Sequence, residues 1–370
     1  MLRIILPLTL SLFILMFAYN AIEAILPLET YGTDFYGYAT LSLALIYLSM
    51  TVFNLFAGYL VSIKPAGTLI LLGPLGYGAF SLAVAGKNEH LWLATAVFLG
   101  ITASIYWICI RALVFREVDR KWWGKAFGVI AFVATLGGGL GPYVLLRALH
   151  SLSDIAGAAF LLSLMAALPL LLISGRGGAQ KFKRSFELGI FKNGLFLSYL
   201  LLSLALSVYL PFVIVAVPAI AGSSELLGEY RLLSYALPST LSLIGGVVYD
   251  RYKAVLPILL LPPALSALLI ERNLLLLGFM LTAFISLASP GLQAMLGELV
   301  PKKELGIALG TAAFAAGLGT SLNIYLLGHV ISAYGIFSAL VYTAMNILAG
   351  ACAAGYIIGA SRRWRGLHGC

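Results

Sequence analysis

Charge is scarce in this 370-residue chain: Asp, Glu, Lys and Arg together make up 10% of it, against 61% hydrophobic residues and a mean hydropathy of +1.02. Soluble domains carry about a quarter charged residues, so a two-domain soluble enzyme is excluded. Cysteine is nearly absent. Cys109, Cys352 and Cys370 have no metal-ligand or CxxC spacing, which leaves neither a disulfide framework nor a redox site. The four histidines, at 90, 150, 329 and 368, form no HExxH pattern, and no GxGD is present, so an intramembrane enzyme lacks its catalytic groups. No metal site, cofactor motif or phosphate-binding loop appears, and ATP-driven transport would need a partner. Glutamine is reduced to Gln180 and Gln293, a shortage of thermolabile amides that fits a thermophilic source. Alternating strands of the outer-membrane barrel type are missing as well, because the apolar runs are continuous.

What the chain has is long apolar runs, at roughly 5–27, 36–63, 67–86, 91–115, 126–149, 156–175, 193–216, 228–249, 254–270, 274–297, 307–331 and 336–360. A membrane-spanning helix needs about 20 apolar residues, so these are twelve candidate spans of an all-α integral membrane protein. The first run exceeds a signal-peptide core and holds Asn20 and Glu23 where a cleavage site would call for small residues. It is read as a retained helix.

An even count puts both termini on one side. Of the 23 Lys and Arg residues, 19 then fall on the terminal side and only Lys87, Arg147, Arg231 and Arg272 on the other. The positive-inside rule makes the terminal side cytoplasmic, in a multi-pass protein of the cell membrane. The net charge of +9 is thereby a topology signal rather than a nucleic-acid footprint. The longest polar stretch, around GRGGAQKFKR, lies at the midpoint. It divides the chain into a six-helix bundle over 1–175, a basic cytoplasmic linker over 176–192, a second bundle over 193–361 and a basic tail over 362–370. The linker is a solvated segment suited to contact with anionic membrane lipids.

The halves repeat. Ala112 to Gly128 and Ala294 to Gly310 match at six of seventeen positions under a shift of 182, including Lys121/Lys303, Gly124/Gly306 and Gly128/Gly310. A shift of 188 aligns Gly58 through Ser62 with Gly246 through Asp250. Both segments join even-numbered to odd-numbered spans on the same face, so the repeat is parallel, about an axis along the membrane normal.

With Gly246-Val-Val-Tyr-Asp250-Arg251 the chain resembles the major facilitator superfamily (MFS), whose GxxxDR signature it matches. In the first half Ser62 and Ile63 stand where that family has Asp and Arg. The resemblance implies two pseudo-symmetric six-helix bundles, and a cytoplasmic gate in which Gly246 allows close helix approach and Asp250 meets a neighbouring helix N-terminus. The expected neighbour is span 11, entered through Lys302, Lys303, Glu304 and Gly306. Span 5, with Gly137 and Gly141-Pro142, is similar to the signature of the drug/proton antiporter branch. It implies a packing face with a hinge at the proline, although Leu145 replaces a glycine and Ala96 stands where that branch has an arginine in span 4.

Ionisable groups within spans are functional candidates by default. Glu23 is the candidate proton-coupling carboxylate, with Arg147 or Tyr19 as its partner; the competing reading is an outer-gate ion pair or an interfacial acid. Arg111 is assigned to the inner gate. From the family's arrangement, spans 1, 4, 7 and 10 supply the cavity candidates Asn20, Tyr106, Trp107, Tyr209, Phe212, Phe284, Ser289 and Gln293. Asn323, which the 182-residue shift pairs with Gly141, is a further one. Aromatic walls with few charges suit a small amphipathic solute. The reading is a monomeric secondary transporter for such a solute, a proton-coupled exporter. A nutrient symporter or facilitator, or a non-transporting receptor, remains the alternative.

Overall fold

The computed structural model describes residues 2–30, 35–149, 151–177, 192–212, 224–271, 277–278, 281, 284–301 and 304–367. Among these residues the chain is all helical. The six helices of the first half are α1 (Leu2–Thr30), α2 (Tyr36–Ile63), α3 (Leu72–Ala85), α4 (Glu89–Glu117), α5 (Trp123–Ala148) and α6 (Leu152–Leu171). In the second half lie α7 (Gly194–Leu206), α8 (Ser224–Arg251), α9 (Leu261–Glu271) and α10 (Phe284–Leu299). The chain then continues through α11 (305–334) and α12 (336–367), which are separated at Gly335, where φ is 79°. Twelve helices therefore follow the twelve apolar runs. The linker core, 178–191, and Lys302 and Lys303 lie outside the described residues.

Nine described stretches are long and apolar enough to span a membrane on their own. The α8 helix falls outside that set. It carries Glu225, Glu229, Arg231, Asp250 and Arg251, so its placement depends on tertiary packing rather than on hydropathy. Helix starts are marked locally: Asn88, Ser151 and Asn193 each accept a hydrogen bond from a first-turn backbone N–H, at 3.1, 3.1 and 3.0 Å. Leu172 is 74% exposed and Leu201 67%. Large apolar side chains on the outside and Gly, Ala and Ser within are what a lipid-facing bundle requires.

Within the first half α1 packs on α5 and α6, and α4 on α2 and α3. The glycine run of α5 serves the first of these contacts. A Cβ on Gly137 would stand 2.7 Å from the Phe13 carbonyl oxygen, and Gly141 abuts Phe17 as closely. Helix α5 passes through Pro142 as one continuous helix. In this structure Gly137, Gly141 and Pro142 form a packing face.

Between the halves α5 meets α8 and α2 meets α11. The repeat segments form these seams. A Cβ on Gly58 would lie 2.5 Å from the Gly306 carbonyl oxygen, and one on Gly124 would lie 2.6 Å from that of Gly246. Each seam thus pairs a glycine of one repeat motif with a glycine of the other, related by the two shifts. Both lie at the Lys/Arg-rich end of the bundle, where the halves are in backbone contact.

Candidate functional site

Away from the seams the halves diverge around a cavity of about 340 Å³. Pockets that hold small organic ligands run from roughly 300 to 1,000 Å³, so this one has room for a small solute. Its walls come from both halves: α1, α2, α3, α4 and α5 on one side, and Leu210, Tyr235 of α8 and Ala313 to Thr320 of α11 on the other. Most of the lining is apolar, with Met16, Met50, Ile46 and Trp107 among it. Two charged side chains line it, Glu23 and Arg111.

Glu23 is 2% exposed, and Tyr47 donates its hydroxyl to Glu23 Oε1 at 2.5 Å. The hydrogen bond joins α1 to α2. Around it stand Tyr19, one turn earlier on α1, Tyr77 and Tyr235, so the acid sits in a ring of phenols. Tyr19 meets Tyr77 edge-on, with ring centroids 5.1 Å apart. Asn20 donates to the Met16 carbonyl at 2.9 Å, which fixes its amide against its own helix.

Arg111 lies six residues before the end of α4, roughly 9 Å along the helix. The sequence assigned it to the inner gate; the structure places it in the cavity wall. It makes no ion pair among the described residues, and the ionisable neighbour facing it is Tyr199 of α7. Asn54, also in the wall, accepts a hydrogen bond from Ser104 at 2.9 Å. This contact ties α2 to α4 near the seam end.

The other expectations divide. Tyr19, Asn20, Glu23 and Trp107 line the cavity. Tyr106, the residue beside Trp107, turns the opposite way. It is fully buried within the first half, 3.3 Å from the Ser11 hydroxyl and against the bare face of Gly73. Adjacent residues on a helix point about 100° apart, and here that turn takes Tyr106 into the packing of the first half while Trp107 stays in the wall. Asn323 is tied into the second half, donating to the Gly319 carbonyl and accepting from the Tyr342 hydroxyl at 2.7 Å. Tyr209, Phe212, Phe284, Ser289 and Gln293 are outside this cavity's lining. Arg147 bonds to the Tyr143 hydroxyl at 2.8 Å and to Glu229 at 3.1 Å, so its ionic partner is on α8.

The gate residues take a different partner from the one expected. Asp250 lies against the backbone of Gly124 and Lys125, at the start of α5 rather than of span 11, with its Oδ1 against the position that a Cβ of Gly124 would take. The twofold relation explains the exchange: α2 abuts α11, so its repeat mate α8 must abut α5. The position equivalent to Asp250 is Ser62, and it does face span 11, with its Cβ 3.3 Å from where a Cβ of Gly306 would be. Arg251 is exposed. The neighbouring Lys253 forms an ion pair with Glu298 of α10.

Tyr47, Asn54, Tyr77 and Tyr235 were missed. Asn54 was visible as an amide inside an apolar run, but the tyrosines had no signal, since their relation to Glu23 exists only once four helices are assembled.

Similar folds are known. The structure superposes on the human organic anion transporter MFSD10 (TETRAN) with a TM-score of 0.76 at 18% identity, covering 95% of this chain and 99% of that one. On the E. coli fucose:proton symporter FucP the TM-score is 0.74 at 14% identity, covering 95% and 98%. The fold is the major facilitator fold, two six-helix bundles related by a pseudo-twofold axis. Residues 33–151, about a third of the chain, also match the family described as ion channel regulatory protein UNC-93. No curated protein matches the sequence significantly.

Proposed function

We propose that the chain is a secondary active transporter that moves a small amphipathic solute across the cell membrane by alternating access, with both termini cytoplasmic. The observation that carries this reading is the cavity between the halves, apolar for most of its wall and provided with one buried carboxylate. Glu23 is the proton-binding group. Tyr47, which donates its hydroxyl to Glu23, holds the carboxylate in place in the cavity wall.

Export in exchange for protons is the direction proposed, after the resemblance of span 5 to the drug/proton antiporter branch. Proton-coupled uptake is the second reading. It is favoured by the contact of Gly137 and Gly141 with α1, which accounts for those glycines without any directional role, and by the fold shared with a fucose:proton symporter. A non-transporting regulatory role is the third, prompted by the partial UNC-93 match.

Reconstituted protein assayed with a panel of amphipathic solutes, with and without an imposed pH gradient, separates the three. Gradient-driven flux that Glu23→Gln uncouples is the expected result. The direction of the flux decides between export and uptake. Absence of flux for the whole panel would overturn transport.

A further inference from the structure

We infer that the solute carries one anionic group, a carboxylate or sulfonate, which is held by Arg111 at the seam end of the cavity while its apolar body lies along Met50 and Trp107. This rests on the transport reading for its biological meaning, but the binding site can be tested without it.

The argument starts from the cost of Arg111. A guanidinium in the membrane interior is tolerated when it meets water, a counter-charge or an acceptor. Arg111 lies inward from the end of α4 and lines the cavity, and no carboxylate among the described residues pairs with it. Tyr199, the ionisable group near it, is uncharged at neutral pH and supplies no counter-charge.

Glu23 cannot fill the role. The Ser11–Tyr106 contact sets the register of α1 against α4. From that level Glu23 is twelve residues along α1 towards its outer end, roughly 18 Å. Arg111 is five residues from it along α4 in the opposite sense, roughly 7 Å. The acid and the base therefore occupy opposite ends of one elongated cavity.

Asn54 adds a second donor. Its side-chain oxygen is taken by Ser104, which leaves the amide nitrogen as the end available to the cavity. It sits on α2 one turn above Gly58, at the seam end. A planar guanidinium and an amide N–H in one wall are both donors suited to an oxyanion. The walls between this end and Glu23 are methionine, tryptophan, alanine and tyrosine, which suit an apolar body with an aromatic or aliphatic face.

Trp107, in the same wall, gives a fluorescence readout of binding. In detergent, naphthalene-1-acetate is titrated against its neutral isostere naphthalene-1-acetamide, using wild type, Arg111→Lys and Arg111→Gln, each checked for monodispersity and melting temperature. The carboxylate is expected to bind about ten- to a hundredfold tighter than the amide in wild type, the range of a charge-assisted contact. Arg111→Lys keeps part of that preference and Arg111→Gln abolishes it. Equal binding of the two probes by wild type, or an undiminished preference in a folded Arg111→Gln protein, would overturn the assignment. Carboxylate-selective binding with no flux of any panel solute in proteoliposomes would leave the anion site standing and overturn transport. Flux of neutral solutes with no carboxylate preference would do the reverse.

Discussion

Asp250, the penultimate residue of α8, lies against the first turn of α5 at Gly124 and Lys125, whereas the equivalent helix end in the other half presents Ser62 to Gly306. The two seams are thus alike in backbone and unlike in charge. A carboxylate at a helix N-terminus is favoured by hydrogen bonding and by the helix dipole, so the α5–α8 seam is the better fastened.

Asp250→Ala is expected to lower stability by about 1 kcal/mol, the usual cost of losing an N-terminal cap. Asp250→Asn keeps an acceptor and should lose much less. Thermal unfolding of both variants in detergent checks the order; equal losses would mean that the carboxylate charge, not the cap, is what counts.

Ser62→Asp places an acid beside the start of α11 and should strengthen the weaker seam by roughly 0.3–1 kcal/mol. The readout is a raised melting temperature together with slower flux, because a seam that opens less readily slows the return of the cavity to the basic side.

Tyr47→Phe removes the hydroxyl that donates to Glu23. A hydrogen bond to a charged group is worth roughly 1.5–3 kcal/mol, and its loss leaves the carboxylate without its tie to α2. Gradient-driven flux is expected to fall about tenfold or more while the variant still folds. Unchanged gradient-driven flux would remove the Tyr47–Glu23 contact from the coupling step.

Arg147→Ala tests the other proposed partner of Glu23. In the structure Arg147 and Glu229 are each half exposed, and such pairs contribute less than about 1 kcal/mol. The variant should fold normally and keep its dependence on the pH gradient; loss of that dependence would restore Arg147 to the proton path.

The fold was legible because lipid imposes a simple rule. Twelve apolar runs gave the helices, and the two repeat shifts named the glycines that form the seams. The site was legible only where one residue sufficed: Glu23 stands out as an acid within α1. Two kinds of information were missing. Helical phase was one, which is why Tyr106 was taken with Trp107 although they point to different neighbours. Pairing between halves was the other. Nothing in the order of residues says that α8 meets α5 rather than span 11, and so Asp250 was given the wrong partner. The hollow beside Arg111 was likewise out of view, since only its distance from the end of α4 could be read.

At Gly58, Gly124, Gly246 and Gly306 main chain rests on main chain, a fit that leaves room for a hydrogen atom and nothing larger. A single methyl group introduced there would act as a wedge. Since Gly58 lies near one tip of a helix that runs on to Tyr36, about 33 Å away, a small displacement at that tip tilts the whole arm and swings its far end. Gly58→Ala is therefore a means of propping the basic end ajar, so that the opposite orientation of the cavity can be trapped and its structure determined.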